Sequence, residues 1–364
     1  MKRVVNFNAG PAAMPMDVLQ TAQAEMLDWQ GTGMSVMEVS HRSKEYEAMH
    51  NEAQERFRRL AGMGTDWKIL FLTGGASTQF FMVPMNYLFD GRKATYLVTG
   101  TWAKKALKEA KRFGACDASS TENPDGTFNR ILEPSELNID PDSTYVHMTS
   151  NNTLFGTQWS TFPDTGAVPL VCDMSSDIFS RPFPADRFSL IYAGAQKNLG
   201  PSGVTVVAVR DDFYQKAIEA SRVPTMLSYR THAEENSLYN TPPCFSIYIL
   251  NLTLKWLENL GGLEAMASIN EEKGRIVYGA IDGSDGYYRC PVAKGSRSRM
   301  NVVFRLRDEA LEDIFVKEAK AAGIVGVKGH RSTGGIRFSM YNANLVESAK
   351  TAAGFMEDFR RKHP

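Results

Sequence analysis

Lys197 carries the only charge in the turn Gln196-Lys197-Asn198-Leu199-Gly200-Pro201-Ser202-Gly203, between the apolar runs 190–193 and 204–209. Both runs read as buried strands, and no acidic side chain of the turn can pair with the amine. A free lysine has a pKa of about 10.4, so only about one amine in a few thousand is neutral near pH 7. Desolvation between apolar strands lowers that value and frees the amine to condense with an aldehyde as a Schiff base. The structural alternative is a solvated turn lysine of no consequence.

Three further strand ends have matching chemical character. After the run 68–72 comes Gly74-Gly75-Ala76-Ser77-Thr78, then an apolar helix from about Gln79. The free N–H groups and positive dipole end of such a helix suit a phosphate. After 95–98 comes Trp102, a flat aromatic plate, and after 170–172 comes Asp173. In an open α/β sheet ligands lie beyond the carboxyl ends of the strands, so all four features fall in one relative place. A phosphate cup, a flat ring, a carboxylate and an amine are what pyridoxal 5′-phosphate requires of a protein. Asp173 would keep the pyridine nitrogen protonated and Trp102 would stack on the ring. Lys197, once displaced by an incoming amino acid, would serve as the base at its Cα. Taken singly, each feature has a structural reading: an ordinary strand–helix turn, a core indole, a helix N-cap.

The elements that must position these groups can be read from the same sequence. A chain of 364 residues exceeds what one hydrophobic core usually serves, so two domains are expected. Pro15 opens a helix with Val18, Leu19, Ala22, Met26 and Leu27 at helical spacing, stopped by Gly31. A second begins near Ser43, aligns Tyr46, Met49, Ala53, Phe57 and Leu60, and ends at Gly62. Strands at 68–72, 95–98, 145–148, 170–172, 190–193 and 204–209 are near-continuously apolar, as in a mostly parallel sheet covered by helices on both faces. Beyond about residue 260, helices near 262–281, 309–321 and 345–361 flank strands at 301–306 and 335–340, which reads as a smaller α+β domain.

Lys plus Arg equals Asp plus Glu, 41 each, so no global field recruits nucleic acid or an anionic membrane. The four cysteines, Cys116, Cys172, Cys244 and Cys290, form no CxxC pair and read as reduced thiols. No apolar h-region follows the basic start and no run approaches a membrane span, so a cytoplasmic protein is expected.

The stretches NFNAGPAAMP, SVMEVSHRS, FLTGGASTQFFMVPMN, TSNNTLFGTQW, DMSSDIFSRP, YAGAQKNLGPSG, YNTPP, SRSRMNV and GHRSTGGIRFSMYNA resemble the phosphoserine aminotransferases. These are pyridoxal-phosphate enzymes of aminotransferase class V and fold type I, and the resemblance runs in order from about residue 6 to the C-terminus. It implies a large domain at 16–260 with a mostly parallel seven-stranded sheet. It also implies a small α+β domain made of 1–15 and 261–364, and a homodimer. Lys197 matches the Schiff-base lysine, Asp173 the partner of the pyridine nitrogen, Trp102 the stacking residue, and Thr153 the hydroxyl at the cofactor's phenolic oxygen. Ala76, Ser77 and Gln196 match phosphate-binding positions, and Asn240 and Thr241 a pair reaching the phosphate from the other subunit. Arg42 and Arg337 match residues that grip substrate carboxylates; His41, His330 and Arg331 match those facing the substrate's phosphate. Clustered guanidinium groups independently suit a substrate bearing both anions.

The implied reaction is transamination between L-glutamate and 3-phosphohydroxypyruvate in serine biosynthesis; relatives also act on a phosphorylated hydroxythreonine precursor of pyridoxine. Two competing readings remain: a class V lyase such as a cysteine desulfurase, which needs a mobile nucleophilic cysteine, and a non-enzymatic phosphate-ligand-binding protein. Ala9 stands where some members carry Ser, and Ser77 where some carry Arg. No metal site is expected.

Overall fold

The computed structural model describes residues 3–364. Seven strands form the central sheet in the order Trp67–Leu72, Thr205–Arg210, Leu190–Gly194, Leu170–Asp173, Val146–Thr149, Lys93–Val98, Ala115–Ser120. Thr205–Arg210 runs antiparallel to both neighbours, and every other pairing is parallel. Alternate side chains of each strand enter separate cores. Ile69, Phe71, Ile191 and Val206 pack with the helices Met16–Ala24, Lys44–Ala61 and Cys244–Asn259. Leu70, Leu72, Tyr192 and Val207 pack on the other face with Gly75–Tyr87 and Thr101–Ala110. Burial on both faces accounts for the continuous apolar runs.

Four details depart from the sequence reading. The helix after the glycine turn begins at Gly75, not near Gln79, so Ala76 and Ser77 lie in its first turn. The first helix ends at Ala24 although helical spacing continues; Glu25 leaves it to accept the Tyr248 hydroxyl at 2.6 Å. Leu27 is consequently 86% exposed. The strand Ala115–Ser120 escaped notice because it is a largely exposed edge with little apolar content. The helix expected at 309–321 starts at Glu312, with Glu309–Leu311 as a preceding 3-10 turn.

The C-terminal part has its own core, in which Val302, Phe304, Phe315 and Phe338 pack with Phe7 from the N-terminus. Its sheet places Asn301–Leu306 between Tyr288–Arg289 and Ile336–Ser339. The N-terminal strand Val5–Asn6 pairs in parallel with Ile324–Val325. Lys273, on the helix Gly262–Asp282, ties this part together: fully buried, it donates to the carbonyls of Met340 and Tyr341 at 2.9 and 3.0 Å.

Burial with no acidic neighbour lowers the Lys273 pKa to about 7. Below that value the lysine is charged in both folded and unfolded chains, and its desolvation penalty is fully expressed. As the pH rises toward the unfolded value of 10.5, the folded state sheds the proton first and stability rises. In urea denaturation at pH 7 and pH 9, the stability of wild type relative to Lys273→Met should therefore increase with pH. A constant difference would contradict this.

Candidate active site

Asp173 ends its strand and Lys197 follows the end of the neighbouring strand by three residues, so adjacent strands deliver both to the carboxyl edge of the sheet. The Asp173 carboxylate is only 4% exposed and accepts the Ser175 N–H at 2.9 Å. Burial raises its pKa, and the charge of Lys197 partly opposes the rise. Burial lowers the Lys197 pKa; Asp173 works against this and Arg337 adds to it. The lysine amine lies deep among protein atoms, although the residue keeps some exposed surface. Among the described residues no ion pair joins the two, so each feels the other's field across a gap.

Trp102, on the first turn of Thr101–Ala110, places its ring centroid 5.8 Å from Lys197 Nζ. Its indole N–H donates to Thr153 Oγ1 at 2.8 Å, leaving the hydroxyl proton of Thr153 for another acceptor. This approach depends on Gly100. A Cβ there would lie 2.1 Å from Asn152 Oδ1, so a side chain would force the 151–153 segment away from the tryptophan. Gly74 plays the corresponding part at the phosphate turn: its φ is +91°, and a Cβ would lie 1.9 Å from Thr78 Oγ1. No side chain caps the helix that follows, so the N–H groups of its first turn, at Ala76 and Ser77, remain available to an anion. Gln196 is half-buried beside Lys197, and its carbonyl accepts the Ala12 N–H at 2.9 Å.

Arg337 enters from the strand Ile336–Ser339, 9% exposed, and donates from Nη1 to the Thr153 carbonyl at 3.3 Å. Its Nε is buried without a partner. A buried guanidinium with a free donor is suited to a carboxylate. His330 and Arg331 lie on the loop that precedes this strand, half-buried and exposed respectively. Burial lowers the His330 pKa, with Arg337, Arg331 and Lys105 adding their repulsion. The guanidinium groups of Arg337 and Arg331 therefore share a field at His330 with a third cation, Lys105, whose amine lies 4.5 Å from the Trp102 ring centroid.

Of the remaining candidates, His41 and Arg42 are not joined to this point within one chain. His41 and Arg42 precede the helix Lys44–Ala61; Arg42 is exposed, and His41 Nε2 is buried without a partner. Among the described residues no side-chain hydrogen bond or ion pair joins either to Lys197 or Arg337. Asn240 lines a cavity of about 240 Å³ with Gly74 and Thr78, and Thr241 is exposed. The thiols do not suit a nucleophile: burial raises Cys172 and Cys290 and pushes Cys116 to about 11, while Cys244 points its Sγ at the Pro242 carbonyl. Sequence reasoning missed Ser175, Asn152 and Lys105. Ser175 was within reach, since an acid followed two residues later by a serine signals an Asx turn.

The residues fit pyridoxal 5′-phosphate: a gap between a buried acid and a buried amine, flanked by an indole, with an uncapped helix end nearby. Sheet and site together are those of a pyridoxal-phosphate enzyme of fold type I, and residues 4–351 match the family model "Aminotransferase class-V". A phosphoserine aminotransferase of Herpetosiphon aurantiacus is 53% identical over 359 residues, covering 99% of both chains. The crystal structure of the phosphoserine aminotransferase of Bacillus circulans subsp. alkalophilus is 52% identical, covers 100% of both chains and superposes with a TM-score of 0.97. A PLP-bound phosphoserine aminotransferase from Trichomonas vaginalis is 37% identical, with 98% of this chain and 100% of that one covered and a TM-score of 0.92. The chain belongs to the phosphoserine aminotransferase family.

No helix among the described residues is long and apolar enough to cross a membrane. The mutual influence of Asp173 and Lys197 can be measured directly. Asp173→Asn removes the charge that raises the lysine's pKa, so in cofactor-free protein Lys197 should react with an amine-selective acylating reagent at lower pH than in wild type. Peptide mapping of the label across pH checks this; an unchanged profile would mean that the two groups do not interact.

Proposed function

We propose that the protein transfers the amino group between L-glutamate and 3-phosphohydroxypyruvate, giving 2-oxoglutarate and O-phospho-L-serine by a ping-pong route. The observation that carries this is the juxtaposition of a desolvated Lys197, a buried Asp173 and a buried Arg337 with an unused donor. Pyridoxal 5′-phosphate, when bound, supplies an aldehyde and an electron-withdrawing ring that can delocalise the electron pair left at a deprotonated Cα. Lys197 Nζ holds the cofactor, and after substrate displaces it, carries the proton to and from Cα. Asp173 holds a proton on the ring nitrogen. Its burial strengthens that interaction, because a low-dielectric surrounding screens the field less than water does. Trp102 fixes the ring plane, Thr153 donates to its phenolic oxygen, and Ala76, Ser77 and Gln196 receive the cofactor phosphate.

Both substrates present a carboxylate, which Arg337 receives; His330 and Arg331 receive the phosphate that only one of them has. His41, Arg42, Asn240 and Thr241 belong to the site of a second subunit in this reading. The exposed Leu27, Met34, Met37 and Tyr239 support it, because they flank those residues in sequence and would be covered in a homodimer. The division into a cofactor-binding unit of 16–260 and a small unit of 1–15 with 261–364 is part of the same proposal.

Borohydride reduction followed by peptide mass spectrometry should place a pyridoxyl adduct on Lys197; an adduct on another lysine would remove the basis of the assignment. Arg331→Ala should lower kcat/KM for 3-phosphohydroxypyruvate by about ten- to hundredfold, the equivalent of about 1.5–3 kcal/mol of charged hydrogen bonding. Glutamate should be far less affected, and equal losses on both substrates would place Arg331 elsewhere.

A further inference from the structure

His330 and Arg331 stand on the loop 329–335, which bonds largely to itself. The Gly329 N–H donates to the Gly335 carbonyl at 2.8 Å, and the N–H groups of Thr333 and Gly334 donate to the His330 carbonyl at 2.9 and 2.8 Å. The His330 ring bonds Ser332 Oγ at 2.7 Å. These contacts close the loop on itself but do not fix it to the protein. The fixing comes from Arg305, on the strand Asn301–Leu306, whose Nη1 donates to the Thr333 carbonyl at 3.2 Å. Among the described residues this is the one side-chain hydrogen bond that reaches 329–334 from outside the loop.

The loop also lies directly on the arginine. Gly335, at φ +71°, would place a Cβ 2.7 Å from Arg305 Cδ and 2.9 Å from the Phe304 carbonyl oxygen. Gly334, at φ +65°, would place one 3.1 Å from Arg305 Nη1. The two glycines thus let the backbone settle onto the guanidinium. The arginine is itself held on its other side: Nε meets Glu312 at 2.7 Å and Nη2 meets Glu309. Arg305, Gly329, His330, Thr333, Gly334 and Arg337 line one cavity of about 330 Å³. Nε, Nη1 and Nη2 of Arg305 each already bond a protein partner, so three of its five N–H donors are engaged and the plane of the guanidinium is fixed.

We propose that Arg305 is the positioning residue of the substrate-phosphate subsite, clamped by Glu309 and Glu312 and setting the placement of His330 and Arg331 through the Thr333 carbonyl and the two glycines. It acts on one substrate and not the other, because Arg337, which receives the shared carboxylate, is held independently by the Thr153 carbonyl. This rests on the reading of His330 and Arg331 as phosphate-binding residues.

Two holoenzyme variants test the proposal. Arg305→Lys keeps the charge and loses the planar fork; Gly334→Ala keeps every charge and disturbs only the seating of the loop. For each, KM is measured separately for 3-phosphohydroxypyruvate and glutamate, and Kd for inorganic phosphate is measured by calorimetry. Loss of sub-ångström placement should raise the KM for the phosphorylated substrate and the phosphate Kd together, on the order of ten- to a hundredfold. The glutamate KM should stay at its wild-type value. Equal rises for both substrates, or no change in either variant, would overturn the proposal. If Arg305→Lys does not fold, Gly334→Ala decides alone. If wild type does not turn over 3-phosphohydroxypyruvate, the functional reading fails, and the phosphate affinities still decide whether Arg305 seats the loop.

Discussion

An amine and a carboxylate buried within each other's field, and kept from contact, form the constraint on which the site depends. Direct contact would neutralise both as an ion pair and make Lys197 a poor nucleophile. Wide separation would leave the isolated Asp173 charge at a desolvation cost that favours its protonation. The intermediate arrangement follows from the sheet: adjacent parallel strands present the acid at a strand terminus and the amine three residues beyond the next. Ser175 then satisfies one oxygen of the acid.

Several close approaches keep that arrangement rigid. Gly10 packs against the lysine stem, where a Cβ would lie 3.5 Å from Lys197 Cγ. Asn198, next to the lysine, is gripped from both sides: its amide donates to the Ile178 carbonyl at 3.1 Å, and its oxygen accepts the Asn342 N–H at 3.1 Å. Ser150 Oγ bridges the Asp173 carbonyl and the Asp177 carboxylate. The backbone beside Asp173 and Lys197 is therefore held by a buried polar network, in which burial raises the Asp177 pKa.

The sheet strands were legible because their burial on both faces leaves an uninterrupted apolar signature, and Ser43 and Gly62 announced their helix through capping chemistry. The edge strand Ala115–Ser120 left no such trace, since its outward residues need not be apolar. Lys197, Asp173 and Trp102 could be read from strand ends because local order determines which end of a parallel strand carries chemistry. Their separations could not, and neither could the role of Gly100, which depends on Asn152 lying opposite it in space. Arg305 was invisible for the same reason: a strand arginine looks ordinary until the glycines that rest on it are seen. His41 and Arg42 show the limit of a single chain, since their side chains reach no other group of the site within it.

The N-terminal strap carries a consequence for biosynthesis. Val5–Asn6 pairs with Ile324–Val325, and the Ala9 carbonyl accepts the Tyr341 hydroxyl across 332 residues of sequence. Just beyond these anchors the strap packs against Lys197, at Gly10. A nascent chain emerging from the ribosome can complete its central sheet by residue 210 and lay the strap against residues 196–197 through the Ala12 N–H and the Gln196 carbonyl, but the pairing with Ile324–Val325 and the bond from Tyr341 wait for the C-terminal part. Truncated translation products would therefore carry the lysine and the acid beneath an enclosure fastened at one end only.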